Sequence, residues 1–365
     1  MTRRQLTTLA LTLLACHGPA ARGGGAGSWD LRLPTGNRHL LTGEPERFYM
    51  HVDRTFEGET STPWQGGTYG FVRNPVRTRQ GVVYARFHEG IDIAPLHRDP
   101  AGNPLDLVNA IAEGTVVHTS PVAGHSNYGK YVVVEHALPG GPFYSLYAHL
   151  ADVVCAPGDR VRAGSLLGRL GFTGVGLNRV RAHLHLEFCL LMSARYDDWH
   201  GTCAGGANHH GIYNGMNLAG LDVARLFLLH ARNPSLSVPD FIRSTPVHFS
   251  VTVPRTGVPE IALRYPWLLR GQASQPTPAW EISFSATGVP LLITPSSRQV
   301  TEPVVSRLRR SEVSHGLLTR GLLAGTGATA TVSRQGRNLL SLVTGDFPAA
   351  ERQTLRGGGG RGGKG

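Results

Sequence analysis

The chain has little of what stabilises a small extracellular scaffold or anchors a protein within a bilayer. Cysteine occurs four times in 365 residues, which excludes a dense disulfide framework. With Cys16 set aside, Cys155, Cys189 and Cys203 can close at most one pair, and Cys189 with Cys203 is the pair suggested by proximity in sequence. The apolar run Leu6 to Ala15 is ten residues long, against the roughly twenty needed to cross a membrane. Between residues 28 and 80 no long segment has a 3.6-residue hydrophobic period, so loops and short strands are expected there. Acidic residues are outnumbered, 25 against 36 Lys and Arg, for a net charge of +11. That balance favours an anionic partner, but no recognised nucleic-acid motif accompanies it, and nucleic acid is not expected.

What is present organises into a mainly β protein. Hydrophobic residues make up 41% of the chain, enough to bury the core of one large domain plus a small one. Between 107 and 190 the sequence reads as consecutive short strands: Val108 to His118, Tyr131 to His136, Phe143 to His149, Val161 to Leu170 and His183 to Leu191. Pro157-Gly158-Asp159 and Gly171 to Gly176 supply turns. Their close spacing predicts an antiparallel, two-sheet domain with an open groove on one face. Tyr128, Tyr131, Tyr144 and Tyr147 fall where they either line that groove or pack within the sheets.

Two stretches carry the chemistry. In Phe87-His88-Glu89-Gly90-Ile91-Asp92-Ile93, strand parity places His88, Gly90 and Asp92 on one face, with Gly90 leaving room between the two polar side chains. In Arg181-Ala182-His183-Leu184-His185-Leu186-Glu187, His183, His185 and Glu187 share a face, while Leu184, Leu186 and Phe188 point to the core. An imidazole and a carboxylate from one strand and an imidazole from the other form a donor set of the kind that holds a catalytic zinc with one position left open. Glu187 is placed to orient a ligating histidine or to serve as an ordinary polar strand residue.

These motifs, with Tyr147-Ala148-His149-Leu150, Ser126-Asn127-Tyr128-Gly129 and Gly158-Asp159-Arg160-Val161-Arg162-Ala163-Gly164, resemble the lysostaphin-type zinc endopeptidases that cut bacterial peptidoglycan peptides. The resemblance covers about residues 65 to 190. It implies that His88, Asp92 and His185 hold Zn2+ and that His149 and His183 stand beside it as catalytic histidines. Such imidazoles can orient the attacking water, stabilise the oxyanion and carry a proton to the leaving amine. The family also places a tyrosine near the metal from upstream of the first motif, and here Tyr69 and Tyr84 are both candidates.

The flanking regions bear on location. Arg3 and Arg4, the apolar run and small residues after it have the form of a secretory signal over 1–15. Leu13-Leu14-Ala15-Cys16 also resembles a bacterial lipoprotein processing site, in which a lipidated Cys16 attaches the chain to a membrane. A flexible tether (16–30) and a lead-in segment (31–80) follow, the latter positioned to cover the cleft as an inhibitory segment. The peptidase domain is expected over 81–195, with a loop insertion and short helix over 196–240; His209 and His210 there read as a polar surface loop. A smaller C-terminal β-rich unit spans 241–350, where Arg307, Arg309 and Arg310 form a basic cluster suited to an anionic wall polymer. A disordered Gly-rich tail occupies 351–365.

The expected function is an exported zinc endopeptidase acting on peptidoglycan peptides in the periplasm or cell envelope. One alternative is a non-catalytic wall-binding regulator on the same scaffold. Regulators of that kind in the family lack ligands, whereas all five positions are filled here. The other is a zinc carboxypeptidase trimming terminal D-alanine.

Overall fold

The computed structural model describes residues 29–348. The expected signal segment, Cys16, most of the tether and the Gly-rich tail lie outside them. Among the described residues no helix is long and apolar enough to cross a membrane.

A seven-stranded antiparallel sheet organises these residues. In chain order its main strands are β1 (Ile91–Ile93), β2 (Gly114–Ser120), β3 (Tyr131–Leu138), β4 (Gly141–Ala148) and β5 (Leu184–Leu191). The last lies between β4 on one side and β1 on the other, with Leu218–Gly220 beside its far end. Every residue of β5 is buried. Leu184, Leu186 and Phe188 face the main core, as alternation predicts, while Cys189 and Leu191 join a second apolar cluster with Tyr131, Tyr144 and Leu146. A strand covered on both faces explains why its polar row is sparse and why each member has a partner.

A three-stranded sheet of Leu107–Asn109, Leu166–Leu170 and Leu150–Val153 forms the second layer. Two segments expected as single strands, Val108 to His118 and Val161 to Leu170, each cross from one sheet to the other. The corners hold one another: Ala110 N–H donates to the Ser165 carbonyl and Gly164 N–H to the Ala110 carbonyl, both at 2.8 Å.

The lead-in segment is part of this fold. Phe48 is fully buried, Ala94 N–H donates to its carbonyl at 2.9 Å, and Met50 N–H donates to the Asp92 carbonyl at 2.8 Å. A hairpin of Gly70–Thr78 and Gly81–His88 then rises beside the main sheet and ends on His88.

Beyond β5, Tyr196–Cys203 is a helix where a loop was expected. Trp199 decides this, with its ring buried and Nε1 donating to Ser341 Oγ at 2.9 Å on the helix Arg334–Thr344. The short helix expected within 196–240 is Val223–Arg232, where the Asp222 side chain caps the Arg225 amide. The C-terminal region folds as a four-stranded sheet in the order Pro290–Ser296, Ala279–Phe284, Phe249–Pro254, Val304–Leu308. Trp280, Ile282 and Phe284 belong to the same continuous core as Phe188 and Leu190. Cys155, Cys189 and Cys203 are all free, so the pairing suggested by proximity does not form. Cys189 instead donates to Glu187 Oε2 at 3.2 Å from inside the sheet.

Gly90 is required by backbone approach rather than by room between side chains. A Cβ there would lie 2.3 Å from the Leu186 carbonyl oxygen, so any side chain forces β1 away from β5. We expect Gly90→Ala to cost about 1–3 kcal/mol, read as a lower midpoint in urea unfolding.

Candidate metal centre

Strand pairing brings the two sequence motifs together. His185 on β5 is paired directly with Asp92 on β1 and with Ala148 on β4. Directly opposed residues of an antiparallel pair project to the same face, so the carboxylate and imidazole meet. His88, at the end of the hairpin, arrives from the third direction. His88 Nε2, His185 Nδ1 and Asp92 Oδ1 lie 3.0–3.1 Å apart, and all three residues are buried.

The outer atoms of these side chains are already engaged. His88 Nδ1 donates to the Thr68 carbonyl at 2.8 Å. His185 Nε2 donates to Glu187 Oε1 at 3.0 Å, and that same oxygen accepts from the Tyr128 hydroxyl at 2.5 Å. Asp92 Oδ2 accepts from Arg73 at 2.5 Å. With each imidazole proton held on the outer nitrogen, three lone pairs converge on one point, an arrangement stable only around a positive charge. The residues present therefore fit a divalent metal with two neutral imidazoles and one carboxylate, each held by a partner behind it.

The electrostatics agree. Burial alone would raise the Asp92 carboxyl, but His183, His88 and Arg73 outweigh it and hold the group well below the usual range. Burial also pushes His88 down, towards the neutral form. His185 is the exception: burial lowers it, yet Asp92 and Glu187 together push it up to about 10. In the metal-free protein a proton on His185 thus takes the place of the cation.

His149 and His183 stand next to this group. His149 occupies the corner after β4 with φ at 64°, a left-handed conformation uncommon outside glycine and found at functional sites. Its Nδ1 donates to the Thr173 carbonyl at 2.9 Å, and burial with His183 and His185 nearby keeps the ring neutral. His183 meets acceptors at both nitrogens, the Arg181 carbonyl at 2.6 Å and Asp92 Oδ1 at 3.3 Å. The two rings pack edge to face with centroids 4.8 Å apart.

All five residues line a groove of about 900 Å³, walled on the other side by Val52 to Thr55 and Arg73 to Val76 of the lead-in region. Neither upstream tyrosine reaches the groove. Tyr69 donates to the Gly220 carbonyl in the interior, and Tyr84 accepts from Arg54. Of the four tyrosines between 128 and 147, Tyr128 lines the groove. Tyr131, Tyr144 and Tyr147 pack in the sheets against His210, Glu135 and the Ile111 amide. His210 is buried through that contact, so the Gly-rich loop is anchored to the sheet rather than free on the surface. Arg73 was not legible in sequence, because only the hairpin register carries it to Asp92. Glu187 was legible through strand parity.

A mainly antiparallel β domain with a buried His-Asp-His cluster lining a groove is an arrangement that could hold a divalent metal beside a bound chain. The model of Peptidase family M23 matches residues 86–195. Among curated relatives, outer membrane antigenic lipoprotein B of Histophilus somni is 22% identical over 44% of this chain and 42% of its own length. The peptidoglycan DD-endopeptidase ShyA of Vibrio cholerae is 35% identical over 27% of this chain and 20% of its own. The matches thus span less than half of these relatives. Among solved structures, the catalytic domain of lysostaphin from Staphylococcus simulans is 26% identical over 36% of this chain and 86% of that one, with a TM-score of 0.23. A likeness at that score adds nothing further about this chain.

Two outcomes test the centre itself. Because His185 must release its proton to ligate, metal affinity should fall as pH falls, by roughly tenfold per unit across the neutral range, measured by chelator competition at several pH values. Glu187→Gln, which weakens the acceptor behind His185, should cost about 10–100-fold in zinc affinity in the same assay.

Proposed function

We propose that the protein is a zinc-dependent endopeptidase of the bacterial envelope that hydrolyses peptide bonds in peptidoglycan. The observation that carries this reading is the convergence of His88 Nε2, His185 Nδ1 and Asp92 Oδ1 at 3.0–3.1 Å, with His149 and His183 alongside. The match to the M23 family model supports a peptidase. The DD-endopeptidase relative supports peptidoglycan as substrate, and the lipoprotein relative supports an envelope location. Attachment through Cys16, a wall-polymer contact by Arg307, Arg309 and Arg310, and the division into lead-in, peptidase and C-terminal units belong to the same proposal.

In this reading His88, Asp92 and His185 hold zinc, which when bound acidifies water and polarises the scissile carbonyl. The neighbouring histidines take different tasks. His149 is neutral with Nδ1 committed to Thr173, so its Nε2 accepts a proton from the attacking water. His183, whose Nδ1 donates to the Arg181 carbonyl and whose Nε2 lies 3.3 Å from Asp92 Oδ1, stands beside the developing oxyanion, and the proton taken by His149 passes to the leaving amine. Arg73 keeps Asp92 ionised and oriented, and Glu187 does the same service for the neutral tautomer of His185. An endopeptidase leaves internal cuts and a carboxypeptidase removes terminal residues, so the mass of the products separates the two.

The test is metal content together with mass-resolved digestion of purified peptidoglycan. Wild type should bind one zinc and release internal cross-link fragments. His88→Ala should lose the metal, while His149→Ala should keep it and lose about 10²–10⁴-fold in rate. Zinc binding without any cleavage would instead favour the wall-binding regulator.

A further inference from the structure

Four arginines line the groove: Arg54, Arg73, Arg86 and Arg181. Two are spent on the fold. Arg54 donates to the Tyr84 hydroxyl and the Val72 carbonyl, and Arg73 donates to the Gly66 carbonyl and Asp92. Arg86 is exposed on the rim. Arg181 differs from all three, because its Nε is buried and has no hydrogen-bond partner among the described residues.

The loop that carries Arg181 is held firmly. Arg98 donates to the carbonyls of Arg179 at 2.7 Å and Val180 at 3.1 Å. Arg179 donates to the Ala101 carbonyl at 2.7 Å, and Asn178 Oδ1 accepts from the Arg181 amide at 3.0 Å. Neighbouring arginines are thus consumed in fixing this loop, and no carboxylate of the described residues pairs with Arg181. Its own carbonyl accepts from His183, which ties the position of the guanidinium to the catalytic pair. A buried guanidinium nitrogen without an acceptor is costly and calls for an explanation. A guanidinium on a groove wall is matched by a carboxylate, which it can bind through two parallel N–H···O bonds.

We propose that Arg181 is the anion-binding subsite of the groove and selects peptides that carry a free carboxylate close to the scissile bond. Arg86, on the same groove, adds long-range attraction for such substrates. The proposal rests on the peptidase reading above and names the substrate class of that site. Arg181 binds a part of the substrate that does not react, so its contribution falls mainly on KM.

The test uses a soluble cross-linked stem-peptide dimer with its side carboxylates free and the same dimer with them amidated. The zinc-loaded wild type should favour the free dimer by about tenfold or more in kcat/KM. Arg181→Gln should bring that ratio close to one through a rise in KM for the free dimer, and Arg181→Lys should keep part of the preference. Arg160→Gln, which removes one exposed charge on the far strand Arg160–Val161, should leave the ratio at the wild-type value. The idea is overturned if wild type does not distinguish the two dimers, or if Arg181→Gln retains the wild-type ratio, including the case where both dimers are cut equally more slowly. Equilibrium binding of the same pair is measured in parallel. If neither dimer is cut but wild type binds the free one more tightly and Arg181→Gln does not, the peptidase reading fails and the anion subsite stands.

Discussion

Three lone pairs pointing at one another inside a protein repel, and the arrangement of this chain follows from placing and compensating them. Asp92 Oδ1, His185 Nδ1 and His88 Nε2 stand in mutual contact because β1 pairs with β5 and the hairpin ends beside both. Their outer atoms are committed to Thr68, Glu187 and Arg73. Removing charge from water at this depth is costly unless an opposite charge arrives. A proton on His185 meets that demand in the metal-free protein, and a divalent metal meets it better, since it satisfies all three donors at once.

The apolar surroundings serve this centre by fixing its geometry. β5 is buried on both faces, with Leu186 and Phe188 packed in the main core and Cys189 and Leu191 in the second cluster with Tyr131, Tyr144 and Leu146, so its polar residues have little freedom to relax. The C-terminal sheet and the helix Arg334–Thr344 extend the same core. The lead-in region closes the other side of the groove and at the same time contributes Phe48 and Met50 to the interior. A segment that forms both wall and core does not behave as a detachable cover, which bears on any inhibitory role assigned to it.

Charge is handled differently along the groove. Near the centre Arg73 pairs with Asp92, while the Glu89 side chain lines the same groove without a hydrogen bond or ion pair among the described residues. Farther along, Arg181 is supported by a rigid loop and left without an acid. The outer atoms of the candidate metal ligands are engaged by the protein, whereas Arg181 Nε is not.

Local alternation and spacing in the sequence determined which residues form strands and which side chains share a face, because both follow from a period of two along an extended chain. His88, Asp92, His183, His185 and Glu187 were therefore legible as a polar set, as were a short helix within 196–240 and a β-rich C-terminal region, while His149 was marked only by the family resemblance. Tertiary structure alone decided that Val108 to His118 turns a corner between sheets, that Tyr196–Cys203 is helical, and that Tyr69 is interior while Tyr128 reaches Glu187. It also decided that Arg73 meets Asp92 and that Arg181 meets no acid. Those outcomes depend on sheet register and on contacts between residues far apart in the chain, and no local period encodes them.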